Sequence, residues 1–188
     1  MPYVSRAGEK LEHALAFFKI NPTDLICADF GCSTGGFTDC LLQKGAKCVY
    51  AVDTGYGVLD WKLRKDNRVI VMERVNAIHL ILPEKVDLIC IDTGWTKSEK
   101  IIPNALSNLK SGGIIIILIK PHYEAERYML INGKVKDEHL SHILENVVSK
   151  ISNFDLEIIS KTKSPLLGKM GKNKEFLLFA QKPHKQVD

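Results

Sequence analysis

The chain has 188 residues, 45% of them hydrophobic and 26% charged, which suits one α/β domain with its own core and excludes extended disorder. Its 26 basic and 22 acidic residues leave a formal net charge of +4, which permits a polyanionic partner without requiring one. The N-terminus MPYVSRAGEK lacks the apolar stretch of a signal peptide, and the longest apolar run, residues 114–119, is too short to span a bilayer.

In chain order, a helix is expected over residues 5–18, where Leu11, Leu15 and Phe18 form an apolar stripe. A strand follows at 25–29, a helix at 36–44, a strand at 49–53, a short helix near 59–64 and strands at 69–72 and 86–92. A helix over 97–110 leads to a strand at 114–120. Residues 134–152 read as a longer helix, with Leu140, Ile143, Leu144, Val147, Val148 and Ile151 at helical spacing. Strands at 156–159 and 176–180 close the chain, separated by the Gly- and Lys-rich segment 161–174. The strands are continuous apolar runs without polar alternation, as in a parallel sheet covered on both faces. The terminal β-loop-β adds one antiparallel member, so the expected fold is α/β with a mixed sheet. Residues 1–183 are read as a single domain and 184–188 as a loose tail.

Five cysteines, Cys27, Cys32, Cys40, Cys48 and Cys90, are odd in number and show no CxxC spacing. They read as reduced, mostly buried thiols in a cytoplasmic protein. His139 and His142 stand three apart on a helix with no further ligand beside them, so no metal is expected.

The most informative segment is Asp29-Phe30-Gly31-Cys32-Ser33-Thr34-Gly35-Gly36-Phe37. A strand, a Gly-rich turn and a helix make the geometry for a nucleotide-like ligand at the carboxyl edge of a parallel sheet. Gly31, Gly35 and Gly36 are expected to let the backbone approach that ligand. Asp53 ends the next strand, where a carboxylate can accept both hydroxyls of a ribose. The spacing GxxxGG is not that of a dinucleotide fingerprint. Asp29 would repel a pyrophosphate but suits a ligand carrying an ammonium and a sulfonium, which points to S-adenosylmethionine.

Several further motifs fall at strand ends in order: Ser5-Arg6-x-Gly8-x-Lys10-Leu11, Gly31-x-Ser33-Thr34-Gly35-Gly36-Phe37, Val52-Asp53-x-Gly55-Tyr56-Gly57, Asn76-Ala77, Ile91-Asp92, Lys120-Pro121-x-x-Glu124 and Glu175-Phe176. In this combination the chain resembles the FtsJ-like 2′-O-ribose RNA methyltransferases, most closely their TlyA, or hemolysin A, branch. The resemblance runs from about Tyr3 to about Phe179. It implies a Rossmann-like class I methyltransferase fold with seven strands, the last antiparallel, and a Lys-Asp-Lys-Glu tetrad at Lys10, Asp92, Lys120 and Glu175. It assigns the turn from Gly31 to Phe37 to the methionine part of the cofactor, Asp53 to its ribose, the Asn76 region to its adenine, and Asp92 to the neighbourhood of the methyl group. It also implies RNA, above all ribosomal RNA, as substrate and partner. Lys120 would orient the 2′-oxygen and handle its proton, held in place by Asp92. Singly, Lys10 and Glu175 would read as ordinary solvated charges.

The chain departs from that branch in places. After Asp92 it reads Thr93-Gly94-Trp95 where the branch has Val-Ser-Phe, and His122 and Tyr123 stand where Gln and Phe are common. Trp95 can stack on a target base or pack over the sheet edge; His122 is read as a loop residue. Branch members carry a small RNA-binding module before the Ser-Arg motif, near which this sequence starts. RNA contacts are therefore expected from the domain itself, with Lys161, Lys163, Lys169, Lys172 and Lys174 as a basic cluster leading to Glu175 or as a solvated loop. The alternative readings are a methyltransferase for another substrate and a catalytically altered cofactor-binding protein acting on RNA or ribosomes. Nothing in the sequence supports pore formation.

Overall fold

The computed structural model describes residues 1–168 and 172–184. An N-terminal helix, α1 (Ala7–Phe18), precedes a β/α series: β1 (Ile26–Phe30), α2 (Gly36–Gln43), β2 (Cys48–Asp53), α3 (Trp61–Arg64), β3 (Val69–Glu73), β4 (Val86–Ile91), α4 (Ser98–Asn108), β5 (Leu109–Ile119) and α5 (Pro121–Glu124). A small hairpin, β6 (Leu130–Ile131) and β7 (Lys134–Val135), leads to α6 (Leu140–Ile151), β8 (Glu157–Lys163) and β9 (Phe176–Gln181).

The main sheet has the order β3-β2-β1-β4-β5-β9-β8. Strands β1 to β5 are parallel, and β9 runs antiparallel to both of its neighbours, β5 and β8. The fold is thus the mixed, seven-stranded Rossmann-like sheet with its last strand reversed. The chain winds outward from β1 to β3 and then returns to the other side of β1 at β4. That reversal opens a crevice at the carboxyl ends of β1 and β4, where doubly wound sheets hold ligands.

The alternation of side chains along each strand divides the core in two. Ala28, Phe30, Tyr50, Val52, Ile89, Ile91, Ile115 and Ile117 face α4 and α6, meeting Ile101, Ile102, Ala105, Leu144, Val147 and Ile151. Cys27, Val49, Ala51, Leu88, Cys90 and Ile116 face α1 and α2, meeting Leu11, Ala14, Leu15, Phe37, Cys40 and Leu41. Because both faces are covered, the strands carry no polar alternation. Each fully buried Leu or Ile contributes about 1.5–3 kcal/mol.

Two expectations are corrected. The helix read over 134–152 begins at Leu140; Lys134 and Val135 instead pair with Leu130 and Ile131 across Asn132 and Gly133. Both turn residues have positive φ (48° and 74°), as a two-residue hairpin turn of this hand requires. Lys161 and Lys163 lie on the edge strand β8, which is longer than expected, and not in the following loop. All five cysteines are free, four of them buried. Burial pushes the Cys40 thiol up to about 12 and raises Cys27, Cys32 and Cys90 as well, which leaves them unreactive. Among the described residues no helix is long and apolar enough to cross a membrane. Of the tail, residues 185–188 lie outside the described residues.

Candidate active site

A cleft of about 470 Å³ opens at the reversal point, lined by the loops that follow β1, β2, β3 and β4. Gly31 makes it possible. Its φ is +87°, and a Cβ there would lie 2.7 Å from the Asp92 carbonyl oxygen, so only glycine lets the ends of β1 and β4 come this close. The Asp92 amide donates to the Phe30 carbonyl at 2.9 Å and fixes the same junction. Ser33, itself at φ +48°, donates its backbone N–H to Asp53 Oδ2 at 2.8 Å, and Gly55 N–H donates to Oδ1 at 2.7 Å. The Asp53 carboxylate is therefore held rigidly at the cleft wall with lone pairs to spare. Asn76, exposed on the same wall, accepts from Ile78 N–H through Oδ1 at 3.0 Å.

The rest of the Gly-rich turn is used differently from the expectation. A Cβ on Gly35 would lie 2.2 Å from Leu63 Cδ1, and one on Gly36 would lie 2.3 Å from Ser5 Oγ. These two glycines make room for α3 and for the start of α1. Phe37 belongs to the core between α1 and α2. Asp29 is fully buried. Its Oδ2 accepts from Thr38 N–H (2.9 Å) and Oγ1–H (2.7 Å), while Oδ1 has no partner among the described residues. Burial, reinforced by Asp92 and Asp53 and opposed by the Thr38 bonds, pushes its carboxyl up to about 7. With Ser5, Thr34, Phe37 and Asp92 it lines a side cavity of about 120 Å³ behind the turn.

A second cleft, of about 560 Å³, adjoins the first and shares Ser33, Asp92 and Lys120 with it. Lys120 stands where β5 ends because Pro121 cannot continue a ladder and starts α5 at its first position. Its Nζ lies 2.5 Å from Asp92 Oδ1 and donates to the Thr93 carbonyl at 3.3 Å. Lys10, from α1, forms a buried ion pair with Glu175, from the segment before β9; the side chains are 7% and 3% exposed. All four residues of the expected tetrad line this one cleft. His122, read from the sequence as a loop residue, stands at the first turn of α5 and lines this cleft as well. Among the described residues its Nδ1 has no partner, and burial together with Lys120 outweighs Glu175 and lowers its pKa, so the ring is neutral at neutral pH.

Trp95 is 88% exposed with φ +62°, a strained conformation for a bulky side chain. Its ring lies 5.0 Å from that of Tyr123, which in turn lies 4.1 Å from His122. Lys172 and Lys174 line a separate groove of about 120 Å³ with Lys134 and Asp137, and Lys174 pairs with Asp137 at 2.8 Å. Lys169 lies outside the described residues. Asn173 was not foreseen. It is buried and joins this segment to the β6–β7 hairpin, accepting from Val135 N–H at 3.0 Å and donating to the Gly133 carbonyl at 3.0 Å. Among the described residues no cluster of His, Cys, Asp or Glu is arranged to hold a metal ion.

A family model of FtsJ-like methyltransferases matches residues 3–182. The chain is 43% identical to hemolysin A of Brachyspira hyodysenteriae over 93% of its own length and 75% of that protein's. It is 36% identical to the 16S/23S rRNA (cytidine-2′-O)-methyltransferase TlyA of Mycobacterium tuberculosis, over 93% of its own length and 67% of that protein's. A solved structure of a hemolysin-like protein from Streptococcus thermophilus superposes with a TM-score of 0.94 at 38% identity, covering 100% of this chain and 70% of the other.

Proposed function

The chain belongs to the FtsJ-like methyltransferase family, and from that premise we propose that it methylates ribose 2′-hydroxyls of RNA with S-adenosylmethionine, ribosomal RNA and its cytidines first among the substrates. The observation that carries this reading is the shared wall: Ser33, Asp92 and Lys120 border both clefts, so ligands in the two would meet at Lys120. The first cleft fits the cofactor in size and chemistry. Asp53 would accept its ribose hydroxyls, Asn76 would border its adenine, and the acidic surroundings of Asp29 and Asp92 suit its positive charges. When bound there, S-adenosylmethionine supplies the electrophilic methyl group.

The chain's own residues then have separable tasks. Asp92 and the Thr93 carbonyl fix the Lys120 side chain, which as the neutral amine would accept the proton of the 2′-hydroxyl while its oxygen attacks, becoming the ammonium that Asp92 then balances. Lys10 and Glu175, paired and buried, border the ribose site without adding net charge. Trp95, Tyr123 and His122 offer ring faces at the mouth, where an unstacked base can lie. Lys172 and Lys174 offer phosphate contacts at one side.

Incubating the protein with labelled S-adenosylmethionine and ribosomal RNA or subunits, followed by mapping of ribose methylation, tests the reading. We expect 2′-O-methylcytidine in the wild-type reaction and a rate about 10²–10⁴-fold lower for Lys120→Ala. Tight cofactor binding without label in any RNA would turn the assignment to the altered cofactor-binding protein. Wild-type methylation by Lys120→Ala would remove that residue from the chemistry.

A further inference from the structure

The side chains that meet between the clefts come from the loop 92–97 after β4 and from residues 120–124, which are Lys120 at the end of β5 and the short helix α5. Three contacts join them near the clefts: Asp92 to Lys120, the Thr93 carbonyl to Lys120, and Trp95 to Tyr123. The 92–97 loop carries the strained Trp95, and Gly94 stands in open space with no heavy atom near its absent Cβ, so neighbouring packing does not hold the loop there.

A fourth contact lies apart from both clefts. The N-terminus of α4 has an extended residue, Lys97, at its cap position with no side-chain cap of its own. Glu124, at the end of α5, supplies one from outside the helix. Its Oε1 accepts from the Ser98 backbone N–H at 2.8 Å and from Ser98 Oγ–H at 2.7 Å. A carboxylate here satisfies an otherwise unpaired helix donor and complements the positive end of the helix dipole. Ser98 is buried, so little water is available to replace the bond. Both ends of the 92–97 loop are thereby tied to the strand end that carries Lys120: at Asp92 by the ion pair, at Ser98 by Glu124.

We infer that Glu124 is a positioning residue: by capping α4 from the end of α5 it holds the Trp95 loop in the conformation that keeps Asp92 against Lys120 and Trp95 over Tyr123. It rests on the reading of Lys120 and Asp92 as the methyl-transfer pair. Glu124 lines neither large cleft, so its removal acts through the loop and not through lost ligand contacts.

The test uses the full chain carrying Trp61→Phe, so that Trp95 is the single tryptophan, with Glu124→Ala and Glu124→Gln added separately. In Glu124→Ala we expect a larger amplitude of nanosecond depolarisation in time-resolved Trp95 anisotropy. We also expect kcat about tenfold lower with KM for the cofactor within about twofold. Glu124→Gln keeps an acceptor for Ser98 and should restore both readouts. Unchanged Trp95 anisotropy in folded Glu124→Ala overturns the inference whatever the activity, and so does a Gln variant as impaired as the Ala variant. Should Glu124→Ala fail to fold, Ser98→Ala removes one of the two bonds. It must then raise the mobility of Trp95 to a smaller degree, and a Trp95 signal equal to that of the parent overturns the inference. The anisotropy is recorded without RNA, so failure of the RNA reading appears separately, as absent methylation by the parent protein.

Discussion

The two clefts share three residues but are built by opposite means. The first is assembled from consecutive strand ends, and much of its wall is backbone: the positive φ of Gly31, the Ser33 and Gly55 amides on Asp53, the Asp92 amide on Phe30. The second closes only when the two ends of the chain meet, since Lys10 and Glu175 are 165 residues apart. The first therefore draws its shape from the topology of the sheet, which tolerates side-chain change, whereas the second depends on a charge pair that has little water to fall back on. Each prediction below strains one side of that contrast.

The largest effect is expected in the second cleft. Glu175→Ala leaves the Lys10 ammonium buried without its partner and should lower the unfolding free energy by about 3–5 kcal/mol, measured by urea denaturation. Replacing both, Lys10→Met with Glu175→Leu, should recover much of that loss while RNA methylation stays absent. Cofactor affinity of the folded Glu175→Ala protein should be close to that of wild type, because the first cleft does not use Glu175. A single-variant loss below about 1 kcal/mol would mean that the chain ends are held together by packing instead.

Behind the first cleft, in the side cavity under the Gly-rich turn, lies one buried carboxyl, Asp29. Asp29, pushed up to about 7 by burial, binds its proton more tightly in the folded chain than in the unfolded one, where a carboxyl titrates near about 3.9. The stabilisation from that proton is complete below about pH 4 and is lost as the pH rises through about 7. Asp29→Asn keeps an oxygen for the two Thr38 bonds and carries no titrating group. Its stability should therefore exceed that of wild type by about 2–4 kcal/mol at pH 8, with the gap closing towards pH 4. Thermal melts of both proteins across that range check it; parallel pH profiles would show that Asp29 ionises in its site at no such cost.

The same contrast explains what could be read from the sequence. Parallel strands covered on both faces must be apolar throughout, so the main strands stood out, and the Gly-rich turn and the acid at the end of the next strand marked Gly31 and Asp53. Lys120 and Asp92 stood visibly at strand ends, but their place in a tetrad came from family resemblance. Gly35 and Gly36 were read as ligand-facing because nothing local reveals that Leu63 and Ser5 occupy the space at their Cα atoms. The burial of Asp29, the neutral His122 and the Asn173 tie are likewise products of tertiary packing. The β6–β7 hairpin is a different case: Asn132-Gly133 is a local turn signal, overridden when the helical spacing from Leu140 onward was extended back to Lys134. That the Lys10–Glu175 pair was found at all came from family resemblance, since neither residue carries a local signal.

The smallest effect concerns the rim where the clefts join, and it decides to which of them Trp95 belongs. The indole borders the first cleft, yet its ring rests on Tyr123, which borders the second. A side chain that is 88% exposed and held at positive φ gains little for the fold, so its value lies in what it meets. If the ring receives the target base, Trp95→Ala should weaken RNA binding by about 1–3 kcal/mol, roughly 5- to 150-fold in Kd, and Trp95→Phe by much less. Cofactor affinity, measured by calorimetry on the same proteins, should stay within about twofold of wild type, because a stacking loss acts only on the ligand that stacks. The reverse pattern, cofactor weakened and RNA untouched, would assign the indole to the adenine side and move the base site to the ring faces of Tyr123 and His122. Since those two rings already continue the line from Trp95 into the second cleft, the double substitution Trp95→Ala with His122→Ala separates the cases: additive losses in RNA affinity indicate two bases stacked in succession, and a loss no greater than that of the stronger single variant indicates one.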